Sequence, residues 1–257
     1  MENLSVAIIQ TELKWEDIDE NLLRLTEKLN QVSDTDLIIL PEMFSTGFTM
    51  NAKLVAERES GKAVNWLIKM ATSKNTAITG SLVIEENGNY YNRLFFVFPN
   101  GKYETYDKKH LFTLAKEHEH YSAGSEKIIV NYKGFKICPL VCYDLRFPVW
   151  IRNVEEYDLL IFVANWPNKR VKAWDALLKA RSIENMCYTI GVNRVGLDGN
   201  DHLYSGHSAV YDALGEKISK ENKETGFIEK VTLSLESVTK TRKDFGFLRD
   251  RDAFNLI

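Results

Sequence analysis

The sequence predicts an α/β protein, a mixed β-sheet with helices packed over it, and three observations lead there. Residues 4–10 (LSVAIIQ) and 37–40 (LIIL) are short, nearly continuous apolar runs, and between them Ile18, Leu22, Leu25, Leu29 and Val32 fall three and four apart. Runs without alternation belong to strands covered on both faces, and the helical spacing between them makes the cover helical. Residues 76–84 and 91–98 are separated by a segment holding Asn87-Gly88, a dipeptide that tolerates the positive φ angles of a tight hairpin. Hairpin-joined strands beside helix-joined strands make the sheet mixed. At 257 residues the chain lies near the upper limit for one core, so one domain over 1–257 is expected rather than two.

In chain order, residues 17–33 form the first helix, with an acidic first turn that suits the positive end of its dipole. Residues 44–51 (FSTGFTMN) are loop by composition, and residues 62–73 return to helical spacing through Ala63, Trp66, Leu67 and Met70. After the hairpin, the turn Phe98-Pro99-Asn100-Gly101 leads to a strand over 102–106. Residues 107–124 show no periodicity and a high density of ionisable groups, including Glu117-His118-Glu119-His120. Strands over 128–132 and 135–141 turn at Lys133-Gly134. A helical stretch is expected over 147–156, then a strand over 159–165, a long helix over 171–186 and a strand over 188–194. Residues 195–203 read as a turn-rich loop, and strands over 207–211 and 227–233 follow. From residue 234 a charged tail carries Phe245, Phe247, Leu248, Phe254, Leu256 and Ile257, a pattern that docks either on the body or on a second subunit.

Hydrophobic residues at 44% and charged residues at 27% are ordinary for a water-soluble globular protein. A net charge of −3 without a long basic run argues against nucleic acid or membrane as the main partner. No apolar stretch has the length of a membrane span, and the first residues lack the features of a signal peptide, so a cytoplasmic location is expected. Three cysteines, Cys138, Cys142 and Cys187, are too few for a disulfide framework and fit a reducing compartment.

The chemistry concentrates at strand ends. Residues 135–148 read FKICPLVCYDLRFP: an apolar run that stops at Cys142, followed by a turn and by Pro148, which is tolerated in a helix's first turn. That order puts a thiol at the carboxyl end of a strand with turn N–H groups nearby, where a nucleophile's oxyanion can be stabilised. Taken alone, a cysteine in an apolar strand is more often a small buried hydrophobe. Glu42 follows another strand end and Lys108 a third. A carboxylate to move protons, an ammonium to meet an oxyanion and a thiol to attack form a complete set for acyl transfer, and a nearby cation is expected to lower the thiol's pKa. Singly, Glu42 could be a helix-start carboxylate and Lys108 a solvated loop charge.

The blocks LPEMF (40–44), YDKKHLF (106–112), VCYDLRFP (141–148) and VANWPNKR (163–170) resemble the signature blocks of the nitrilase superfamily of carbon–nitrogen hydrolases, in the same order along nearly the whole chain. The resemblance implies a four-layer α-β-β-α sandwich, two six-stranded mixed sheets face to face with helices outside. It implies Glu42 as general base and acid, Lys108 rather than Lys109 as oxyanion stabiliser, and Cys142 as nucleophile. A second glutamate that orients the lysine and touches the substrate amide falls on Glu117, with Glu119 its rival. No metal or organic cofactor is implied, and members pair into homodimers, often with an exchanged C-terminal tail.

Within the superfamily, LPEMFSTGF (40–48), EHEHY (117–121), NWPNKR (165–170) and NRVGLDGN (193–200) are most similar to the omega-amidase branch, which cleaves the terminal amide of 2-oxo acids such as 2-oxoglutaramate and 2-oxosuccinamate. A substrate of that kind carries a carboxylate that needs a cation and a flat chain that suits aromatic walls. Arg146, Lys169 or Arg170 could supply the charge, and Phe44, Phe48, Tyr143 and Trp166 the walls, with Arg146 equally readable as a structural partner of a carboxylate. Other small amides, N-carbamoyl compounds and nitriles are alternative substrates, and a non-catalytic binding protein on the same fold is a further one. A zinc site through His110, His118, His120 and Cys142 fits no tight ligand spacing.

Overall fold

The computed structural model describes residues 2–220 and 224–255. Its elements run β1 (Asn3–Gln10), α1 (Ile18–Asn30), β2 (Leu37–Ile39), α2 (Ala52–Val55), α3 (Lys62–Lys74), β3 (Ala77–Glu86), β4 (Asn89–Val97), β5 (Tyr103–Asp107), β6 (Val130–Tyr132) and β7 (Phe135–Val141). There follow α4 (Pro148–Ile151), β8 (Leu159–Ala164), α5 (Val171–Asn185), β9 (Tyr188–Asn193), β10 (Val195–Leu197), β11 (Leu203–Ser205), β12 (Ala209–Tyr211), β13 (Phe227–Ser234) and α6 (Leu235–Phe245).

Two mixed sheets result. The first has strand order β13-β1-β2-β3-β4-β5 and the second β12-β9-β8-β7-β6. The second sheet has five strands rather than six, because β10 and β11 form a separate pair. Pleating splits the apolar runs. In the first sheet Leu4, Val6, Ile8, Leu37, Ile39, Leu94 and Phe96 face the second sheet, while Ala7, Ile9, Ile38, Leu40, Ile78 and Phe95 face the helices. Continuous apolar strands thus serve two cores at once.

The outer layer of the first sheet is α1 and α3. Asp17 caps α1, its side chain accepting from the Glu20 amide at 3.0 Å and satisfying one of the helix's orphan donors. Leu22, Leu25 and Leu29 form its buried stripe. On the second sheet α5 lies close against β9. A Cβ at Gly191 would stand 2.4 Å from Leu178 and 2.6 Å from Trp174, so that strand position requires glycine for the helix to approach.

Three stretches differ from expectation. The helix over 147–156 is a single turn, α4, because Asn153 redirects the backbone. Its side chain donates to the Tyr157 and Asn185 carbonyls and accepts from the Tyr157 amide, replacing the hydrogen bonds a longer helix would make. The loop over 195–203 is instead part of the β10–β11 hairpin, closed by Asp198 Oδ1, which accepts from the Asn200 and His202 amides. The tail opens with α6, capped by Ser234 and pinned by Arg242, which donates to the Met186 carbonyl and pairs with Asp158 at 2.8 Å. Val238 alone of this helix is buried, so its docking rests on polar contacts that hydrophobic spacing does not reveal. Phe245 and Phe247 remain largely exposed, their rings 5.5 Å apart, and Leu256 and Ile257 lie outside the described residues. Cys187 sits between α5 and β9.

Strands β1, β2 and β3 run parallel, as do β7, β8 and β9. The pairing of β4 antiparallel to both β3 and β5 turns β5 the same way as β3. Glu42 after β2, Lys108 after β5, Cys142 after β7 and Asn165 after β8 therefore stand at carboxyl edges, where open α/β sheets hold their ligands.

Candidate active site

Glu42, Lys108 and Cys142 converge in the interior. Lys108 Nζ lies 3.1 Å from Glu42 Oε1 and 2.9 Å from each carboxylate oxygen of Glu117, and the three side chains are fully buried. Glu117, and not Glu119, faces the lysine; Glu119 is exposed beside Lys116. Glu42 is held on several sides. Asn92 Nδ2 donates to its Oε1 at 2.8 Å, the Asn165 amide to its Oε2 at 2.7 Å, and Asn165 Nδ2 to its carbonyl at 2.6 Å. Lys109, by contrast, points its ammonium at the Trp150 ring, 5.5 Å from the centroid.

Cys142 occupies the expected elbow with φ at +45°, a conformation that non-glycine residues adopt only when their surroundings impose it. Residues Cys142–Arg146 continue as a 3-10 turn and Pro148 opens α4. Two anchors impose the geometry. Arg181 of α5 donates from Nε and Nη2 to the Leu145 carbonyl at 3.0 and 2.8 Å. Asp144, fully buried, accepts from the Val141 amide and from Tyr106 Oη through Oδ2, and from the His110 amide through Oδ1, with His110 Nδ1 at 2.8 Å. Asp144 thus ties the nucleophile's turn to the strand end that carries Lys108. His110 completes this tie by stacking on Phe147 at 3.6 Å. Among the described residues no three His, Cys, Asp or Glu side chains come together in a way that would hold a metal ion.

The cation's expected effect on the thiol is present but outweighed. Burial pushes the Cys142 thiol well above its ordinary range, the Glu42 carboxylate adds to this, and the Lys108 charge only partly opposes it. The resting group is a thiol, because a thiolate would be poorly solvated there and would add negative charge beside Glu42, which the single Lys108 cation only partly offsets. For Lys108, burial works against the charged form, but Glu117 and then Glu42 outweigh it and the net shift is upward. Glu117 is raised, chiefly by burial, with Lys108 working in the opposite direction.

A cavity of about 390 Å³ opens over Cys142 and Lys108. Phe48, Tyr143, Arg146 and Trp166 line it as expected, and Arg170 does too. The Lys108 ammonium lies 5.2 Å from the Phe48 ring centroid. Phe44 does not reach the cavity; it is packed against Trp66 in the helix-side core. Lys169 is exposed and outside the lining. Arg146 has no carboxylate partner among the described residues and lies 4.9 Å over the Trp166 ring, so the carboxylate pairing considered for it is replaced by an aromatic contact. Sequence reasoning missed Asn92, Asp144, Trp15 and Tyr204. Asn165 stood inside a quoted block without a role. Nothing in the spacing of Asn92, in the middle of a strand, marked it; Asp144, two residues after the thiol, was the one with a readable signal.

Residues 5–243 match the family model described as carbon-nitrogen hydrolase. The chain is 42% identical to "Omega-amidase YafV" of Yersinia enterocolitica, over 100% of both chains. It is 30% identical to "2-oxoglutaramate amidase" of Bacillus subtilis, over 96% of each. Among solved structures, a CN-hydrolase superfamily protein from Xanthomonas campestris, with an arsenic adduct in its active site, superposes with a TM-score of 0.97 at 41% identity, covering 100% of both chains.

Proposed function

The chain belongs to the carbon–nitrogen hydrolase family, and from that premise we propose that it is an omega-amidase, releasing ammonia from the terminal amide of a small 2-oxo acid such as 2-oxoglutaramate or 2-oxosuccinamate. The observation that carries the reading is the buried Glu42–Lys108–Glu117 cluster beside the Cys142 elbow; the named omega-amidases among its relatives supply the substrate class.

In this mechanism Cys142 Sγ attacks the amide carbon while its proton passes to Glu42. The concerted transfer follows from the protonated resting thiol, since an isolated thiolate is disfavoured there. The oxyanion meets the Lys108 ammonium and an N–H of the turn after Cys142, groups already fixed before reaction. Glu42 returns the proton to the departing nitrogen, ammonia leaves, and a thioester remains. Glu42 then takes a proton from water, the hydroxyl adds to the thioester carbon, and the 2-oxo diacid departs as the thiol is re-formed. Glu117 orients Lys108 and contacts the substrate amide. Phe48, Tyr143 and Trp166 are the walls against the carbon chain and Arg146 a partner for its charge. No cofactor enters any step.

The chain works in the cytoplasm as one domain over 1–257 and as a homodimer in which the segment from about 234 takes part. Three buried free cysteines and the exposed Phe245 and Phe247 are what support this. No helix among the described residues is long and apolar enough to cross a membrane.

Ammonia release from 2-oxoglutaramate, with glutamine, an N-carbamoyl amino acid and a simple nitrile in parallel, tests the substrate. Rapid release from the oxo amide alone is expected. Turnover of another compound only would discard the substrate and keep the thiol chemistry, and inertness on all would favour a binding protein on this fold.

A further inference from the structure

Glu42 is aimed by Asn165, and Asn165 itself needs an anchor. Its amide donates to Glu42 Oε2 at 2.7 Å and its Nδ2 to the Glu42 carbonyl, yet it lies just past the end of β8, where the ladder of the sheet has stopped. The chain is fixed there by the side chain of Asn193, the last residue of β9, which is fully buried and in register with Ala164, the last residue of β8. Asn193 Oδ1 accepts from the Trp166 amide at 2.8 Å, and Nδ2 donates to the Trp166 carbonyl at 2.9 Å. A carboxamide carries a donor and an acceptor as a peptide does, so Asn193 prolongs the ladder of β8 after the β9 backbone has turned away to pair Val195 with Thr11.

The clamp has no slack. Oδ1 also accepts from the Arg194 amide at 2.9 Å and Nδ2 donates to the Gly206 carbonyl at 2.7 Å, which uses both lone pairs and both N–H groups. Behind it, Ser208 Oγ accepts from the Asn193 amide at 2.9 Å, and the Ser208 amide donates to Gln10 Oε1 at 3.0 Å. Gln10 ends β1, and Gly206 leaves room for it, since a Cβ there would stand 2.2 Å from the Gln10 side chain. A buried polar chain thus runs from β1 of the first sheet, through β9 and β8 of the second, to the carboxylate after β2.

We propose that Asn193 is a positioning residue for the general base: by gripping both polar atoms of the Trp166 main chain, it sets the turn that delivers the Asn165 N–H to Glu42 Oε2 and so aims that carboxylate at the thiol proton. The proposal rests on Glu42 as general base and is independent of which amide is cleaved. Trp166 also walls the cavity, and the two roles separate kinetically. A loosened wall raises KM, whereas a misaimed base lowers kcat and leaves binding alone.

The test uses two variants and a matched control. Asn193→Asp keeps the acceptor and loses the donor, and Asn193→Ala loses both without adding charge. The control is Asn153→Asp, because Asn153 is an equally buried carboxamide with both sides in use, its partners being Tyr157 and Asn185. Ammonia release is measured well below each protein's urea midpoint, on whichever amide the unmodified protein hydrolyses, and crystal structures of the Asn193 variants are determined. Because misplacing a reacting group by about 1 Å costs on the order of a hundredfold, both Asn193 variants are expected to lose about tenfold or more in kcat with KM within about threefold, and Asn153→Asp to keep kcat within about twofold. In the variant structures the Asn165 amide is expected to stand beyond hydrogen-bond reach of Glu42 Oε2. Undiminished kcat, a rise in KM alone, an equal loss of kcat in Asn153→Asp, an unbroken contact between Asn165 and Glu42, or failure of both Asn193 variants to fold would overturn the proposal. If the unmodified protein hydrolyses no amide, the amidase reading falls by itself, and the Asn165–Glu42 contact in the variants still decides whether Asn193 places that carboxylate.

Discussion

At the scale of single residues, the sulfur of Cys142 is both the reacting atom and a minor packing atom. Replacing it with alanine removes that atom at the floor of an open cavity, so Cys142→Ala is expected to abolish ammonia release while melting within a few degrees of the parent. Residual turnover by purified variant protein would contradict the nucleophile. The protonation state gives a second outcome. Because burial and Glu42 raise the thiol's pKa, the thiolate fraction at neutral pH is smaller than that of an ordinary cysteine. Inactivation by iodoacetamide is therefore expected to accelerate steadily into the alkaline range, and a rate that levels off near pH 7 would mean an activated thiolate instead. The Lys108 cation does pull the thiol's pKa down, as its type and place in the sequence imply, but burial and the Glu42 carboxylate outweigh it, and these are three-dimensional facts that no motif states.

At the scale of elements, the elbow depends on one carboxylate that joins two strand ends. Asp144 accepts from Val141, Tyr106 and His110. Asp144→Asn keeps the shape but turns one acceptor into a donor against a buried donor, a cost of about 1–3 kcal/mol. The expected consequence is a lower midpoint of urea unfolding together with a fall in kcat at nearly constant KM, because Lys108 and Cys142 lose their common tie. A change in stability with kcat intact would limit Asp144 to packing. Elements were legible wherever apolar residues kept a single period: β1, α1, α3, the β3–β4 hairpin and β7 stand within a few residues of expectation. They were illegible where polar side chains set the path, as Asn153 does in cutting α4 short, Asp198 in closing β10–β11 and Arg242 in seating α6.

At the scale of the molecule, the sequence pointed to three residue types at three strand ends and to part of the cavity lining, Phe48, Tyr143, Arg146 and Trp166, but not to the rest of the surroundings. Glu42, Lys108 and Cys142 lie in separate blocks whose meeting depends on both sheets presenting carboxyl edges to one side, a matter of topology. Trp15 and Tyr204, distant in sequence, enter the cavity only through that assembly. The same dense interior sets the alkaline limit of stability. Burial raises the phenols of Tyr106, Tyr121, Tyr157 and Tyr204, each normally near 10.0, and pushes Cys187 from its usual 9.0 to about 12. Groups that hold protons more tightly when folded contribute equally below their unfolded pKa, and that contribution is lost as pH rises above it, because the unfolded chain releases the protons first. Chemical-denaturation midpoints should be flat between about pH 7 and 8.5, the lower side of those ordinary values, and then fall steeply. A midpoint that held steady to pH 11 would show that these groups are solvated.

The protonated thiol has a bearing on how long such a molecule lasts. Peroxides attack the thiolate and carry it up the ladder to sulfinic and sulfonic acids, from which there is no ordinary return. A nucleophile that stays neutral until an amide is seated over it offers oxidants little to attack between turnovers. On that account Cys142 in the idle protein is expected to be oxidised by hydrogen peroxide more slowly than an ordinary exposed cysteine, a rate that mass spectrometry of the peroxide-treated protein measures.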